Sequence, residues 1–83
     1  MSADDTILII PVLMVGGMRY FVVRMQAAEN ADNPEWLTNY IQCCPGVENA
    51  TKSLRKAKRV AERMHGESPA EYGVRHLIYA VYA

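Results

Sequence analysis

The run Ile7-Leu-Ile-Ile-Pro-Val-Leu-Met-Val15 is apolar at every position and rich in β-branched residues. A strand with one wet face alternates between apolar and polar residues. This one does not, so it calls for cover on both faces. That demand falls on a chain of only 83 residues, which makes one small domain over residues 1–83. Pro11 cannot donate a ladder hydrogen bond, which predicts that the strand lies at an edge or is bulged there. The run is far shorter than the ~20 residues of a helical membrane span. Asp4 and Asp5 precede it where a signal peptide would carry basic residues, and Pro11 and Gly16-Gly17 interrupt helical continuation. The expectation is a cytoplasmic protein with no membrane partner.

Gly16-Gly17 reads as the two-residue turn of a hairpin. Arg19 to Met25 then forms the return strand, with Tyr20, Val22 and Arg24 on one face and Arg19, Phe21, Val23 and Met25 on the other. Residues 28–34 are a polar connection. Beyond it two readings stand. Asn33 as cap, Pro34 at the first helical position and Glu35 in the first turn start a helix whose stripe is Trp36, Leu37, Tyr40, Ile41 and Cys44. Alternatively, Thr38 to Cys43 is a further strand, as its Thr, Tyr and Ile would favour. Pro45-Gly46 ends the element either way.

A second helix is capped by Thr51 or Ser53 and closed by Gly66, Ser68 and Pro69, with Leu54, Ala57, Val60, Ala61 and Met64 as its apolar stripe. Val74 to Tyr82 reads as a terminal strand. The expected fold is α+β, ordered β-β-(α)-α-β: a three-stranded, or with the alternative four-stranded, sheet with one amphipathic basic helix packed on one face. One helix covers one face. The other requires the Trp36 segment or a second molecule, which is the ground for expecting a homodimer.

Residues 52–63 hold six of the nine basic side chains and a single acid, Glu62, so the segment carries +5 and the remainder of a neutral chain carries −5. Partners meet that local field and not the sum. Lys52, Arg55, Lys56, Arg59 and Arg63 lie opposite the apolar stripe and are the candidate partner-binding face. Phosphates or the carboxylates of a protein would both suit it. Lys58 and Glu62, four apart, form at most a weak internal ion pair. Trp36, Tyr40, Tyr79 and Tyr82, of types that carry interface energy when centrally buried, are a candidate aromatic interface, and Tyr72 is of the same kind.

No catalytic set emerges. Cys43 and Cys44 are adjacent, so they make neither a disulfide framework nor, with His65 and His76, the two-to-four-residue gap of structural zinc sites. Glu29, Asp32, Glu35, Glu48, Glu67 and Glu71 form no close pair on one predicted face, and Gly16-Gly17 precedes a strand where a phosphate cradle would precede a helix. The reading is of a non-enzymatic protein without metal or cofactor.

Thr51 to Met64, a basic Ala-containing helix followed by a short terminal strand, resembles the helix-then-strand core of small phage and mobile-element proteins of the anti-CRISPR type. The resemblance covers about 30 residues and implies a stoichiometric inhibitor that occludes a site on a host defence nucleoprotein complex. It carries over no site residues. Cys44-Pro-Gly-Val47 also resembles the strand–Pro-Gly–helix step of HicB-type antitoxins, without the alternating strands that surround that step there. The expected partner is a protein or ribonucleoprotein, with nucleic-acid binding by residues 52–63 as the alternative.

Overall fold

The computed structural model describes residues 6–25, 33–43 and 50–82. Expectations attached to Asp4, Asp5, Glu29, Asp32, Cys44, the Pro45-Gly46 stop, Val47 and Glu48 lie outside them. Strands β1 (Thr6–Met14) and β2 (Gly17–Met25) form an antiparallel hairpin, with Thr6 paired to Met25 and Met14 to Gly17. The turn is Val15-Gly16, not Gly16-Gly17. Gly17 instead opens β2 with φ of 114°, a conformation that side-chain-bearing residues rarely adopt. The reason is register: this turn sets Val22 opposite Ile9 and keeps Arg24 opposite Ile7, near the end of the strand. Closing on Gly16-Gly17 would push Arg24 opposite Ile9, into the core.

Helices α1 (Pro34–Cys43) and α2 (Leu54–Glu67) lie on opposite faces of the sheet. Strands β3 (Val74–His76) and β4 (Val81–Tyr82) both run parallel to β1 on the side away from β2. This is the small α+β fold expected, with a four-stranded mixed sheet. β1 is its central strand, which corrects the expectation of an edge, and the terminal strand is split in two.

Pro11 explains the split, and its phase on the ladder shows how a central strand accommodates it. Ile7 N–H donates to the Gly73 carbonyl at 3.0 Å, and the Ile9 carbonyl accepts from Leu77 N–H at 3.1 Å. The odd residues of β1 therefore aim their backbone groups at β3, and Pro11 shares that phase. Toward β2 it sits at a pair that exchanges no hydrogen bonds, opposite Tyr20. Tyr20 aims its own groups outward, where it exchanges bonds of 2.7 and 3.0 Å with Thr51. The missing donor thus falls on the β3–β4 side. There residues 77–80 stand opposite only Ile10 and Pro11, a two-residue bulge that carries the chain past the gap.

Alternation divides the core. Ile7, Ile9 and Val22 pack with Ala57, Ala61 and Ala70 on the α2 side, with Tyr20, Leu54, Val60 and Met64 around them. Leu8, Ile10, Val12, Phe21, Val23 and Met25 pack with Leu37 and Ile41 on the α1 side, joined by Leu77 and Val81. Residues 34–43 are therefore helix, and the strand alternative is discarded. The Asn33 side chain accepts the Trp36 N–H at 3.1 Å as the cap, and Pro34 takes the first helical position, where its missing N–H is not needed. With α1 in place, the second sheet face has its cover. The original ground for expecting a homodimer is removed.

Candidate partner-binding face

α2 begins at Ser53, whose extended backbone and hydroxyl form the N-cap; the hydroxyl accepts the Lys56 N–H at 3.3 Å. Thr51 supports it, its hydroxyl accepting the Ser53 N–H at 3.3 Å, so of the two candidate caps Ser53 is the cap and Thr51 its brace. Ala57 and Ala61 are fully buried against the sheet. Their small side chains let the helix approach closely and fix which way it faces. At 100° per residue Arg55, Arg59 and Arg63 then fall on the outermost line, with Lys56 and Lys58 on either flank.

All five of these cations, and Lys52 just before the helix, are exposed. Arg55 to Arg63 spans roughly 12 Å along the axis. Their long stems enclose two shallow hollows. One, of about 440 Å³, is lined by Leu54, Arg55, Lys58, Arg59 and Glu62; the other, of about 370 Å³, by Lys56, Arg59, Val60 and Arg63. Lys58 thus belongs to the face, although sequence reasoning set it aside as the partner of Glu62. Among the described residues no ion pair joins those two. The signal for including it was its position one turn from both Leu54 and Glu62.

The two ends of α2 are treated differently. At the C-terminal end the Arg24 guanidinium, reaching from β2, donates to the carbonyls of Ser68 and Met64, placing a positive charge on the negative end of the helix dipole. His65 Nδ1 accepts the Ala70 N–H at 3.0 Å and so fastens the turn that follows. This is a structural task, and it requires Nδ1 unprotonated. At the N-terminal end there is no acid in the first turn; Arg55 and Lys56 stand there, with Lys52 beside them. Cations at the positive end of a helix dipole destabilise it. Stability therefore explains Arg24 but not Lys52, Arg55 or Lys56.

The aromatic set does not join this face. Trp36 and Tyr40 stack on α1 with ring centroids 5.2 Å apart, and both, with Tyr79, pack on the α1-side core. They lie across the sheet from the basic helix. Tyr82 is alone at the open edge, in register with Leu13. A single surface combining Trp36, Tyr40 and Tyr79 with α2 is excluded by the topology.

His76 is exposed on β3. Among the described residues no three His, Cys, Asp or Glu side chains are placed to hold a metal ion, and no helix is long and apolar enough to cross a membrane. No protein-family model matches the chain, and no curated protein or solved structure is similar to it at a level that carries inference.

Proposed function

We propose that this is a non-catalytic cytoplasmic binding protein that sets the outer face of α2 against an acidic surface of a protein or nucleoprotein. It would act by occluding that surface, in the manner of the small phage inhibitors its helix-then-strand segment resembles. The observation that carries the reading is the placement of Lys52, Arg55 and Lys56 at the positive end of α2, exposed and without a carboxylate in the first turn. An arrangement that works against helix stability is accounted for by a partner's negative charge. The remaining −5 of the chain favours a compact acidic patch over an extended polyanion, which it would repel.

Nucleic acid is the second reading, supported by the Arg55–Arg59–Arg63 row. One experiment separates the two. The triple variant Arg55→Glu, Arg59→Glu, Arg63→Glu is compared with wild type in capture from host lysate, with and without nuclease, and in binding to a duplex oligonucleotide across a salt series. An acidic protein partner should survive nuclease and be lost with the triple variant, chiefly through slower association. Duplex binding that weakens by about 0.9 log units per phosphate contact on a log salt scale would establish the second reading. A folded triple variant that keeps every interaction would overturn both.

A further inference from the structure

We propose that the open β3–β4 edge, with the hairpin tip beside it, is a two-fold contact between two copies of this chain. Among the described residues, the large apolar side chains left exposed are confined to the hairpin tip and the 72–82 segment; the helices contribute none. Ile78 is 97% exposed and Tyr82 68% exposed, and Tyr82 lies in register with Leu13, which leads to the fully exposed Val15 at the tip. The bulge that accommodates Pro11 brings no charge to this edge; it turns Ile78 outward.

Three properties point to a second copy as the occupant. Residues 13–18 and 77–82 carry no charged side chain. A two-fold contact sets a patch against itself, so a neutral patch meets no like-charge repulsion, whereas two α2 faces would oppose +5 with +5. An acidic partner or a nucleic acid, for its part, finds no cation in these two segments; the one Lys or Arg on β3 and β4 is Arg75.

The backbone supplies the third property. Gly73 and Leu77 aim their groups at β1; strand alternation therefore turns those of Val74 and His76 to the open side. Unpaired groups of this kind are a template for another strand and are costly to bury in hydrocarbon, so a polypeptide suits this edge better than a bilayer. In antiparallel edge pairing the two-fold axis stands normal to the sheet, which brings both α2 helices to the same side. The contact does not depend on what α2 binds.

Sedimentation velocity from micromolar to submillimolar concentration tests it. Wild type should move with twice the mass of one chain. Ile78→Lys and the double variant Ile78→Lys, Tyr82→Lys should move as one chain with unchanged circular dichroism, since both side chains are exposed. Arg59→Glu, on the basic face, should stay dimeric. A wild-type monomer throughout the range would overturn the proposal, as would a dimer that persists in the double variant. Loss of the dimer in Arg59→Glu alone would assign the contact to α2. Co-sedimentation of monomeric wild type with phosphatidylglycerol vesicles would assign the apolar edge to lipid, again against the proposal.

Discussion

Lys56→Glu should make this protein more stable while weakening its binding. Lys56 is the third residue of α2, and its N–H is the one the Ser53 hydroxyl accepts. A glutamate three residues after a serine cap can reach back to the cap's own N–H, completing a capping box. The same change removes a cation from the positive end of the dipole and installs an anion there. Each of those two steps is worth about 0.3–1 kcal/mol at an exposed site in low salt. Because Ser53 N–H already donates to the Thr51 hydroxyl, the capping-box bond exchanges one acceptor for another and adds little. The expected gain is therefore about 1 kcal/mol, which in a domain of this size raises Tm by roughly 4–8 °C. Thermal melts in low salt and near 1 M salt check the origin of the effect. With a screening length of about 3 Å at 1 M, most of the gain should vanish there. A lower Tm in low salt would refute the reasoning and show that Lys56 is compensated by a carboxylate. An equal gain at both salts would show that capping, not charge, is responsible.

Two further changes test the core. Leu37 is fully buried on α1, so Leu37→Ala should cost about 2–5 kcal/mol, read as a lower denaturant midpoint; a loss below 1 kcal/mol would mean that α1 is not the cover of its sheet face. Among the described residues the buried Thr6 hydroxyl has no hydrogen-bond partner, so Thr6→Val, of nearly the same shape, should stabilise by about 1 kcal/mol, and a destabilised variant would show that the hydroxyl is satisfied.

The hairpin and the inner face of α2 were legible because their information is local. Alternation in β2 assigns Val22 to one face and Phe21 and Val23 to the other, and spacings of three and four place Ala57 and Ala61 on one stripe. Asn33-Pro34 also carries a helix start in the sequence, but the Thr, Tyr and Ile that follow have strand preference. Only the uncovered face of β1 settled the matter, because Leu37 and Ile41 as helix neighbours fill it. The basic face was readable as a charge run. That its cations oppose the helix dipole followed once Ser53 was established as the cap.

What the sequence by itself determined is therefore the hairpin, the inward stripe of α2 and the +5 segment, since these depend on residues a few positions apart. The tertiary structure decided how they meet. Burial of both its faces places β1 at the centre, and Pro11 interrupts a strand some 66 residues later, through a hydrogen bond that cannot form between segments remote in the chain. The same assembly sends Trp36, Tyr40 and Tyr79 to the opposite side of the sheet from α2. No local pattern records such separations, because they arise from which strand neighbours which, and that is settled only when both faces of β1 are buried at once.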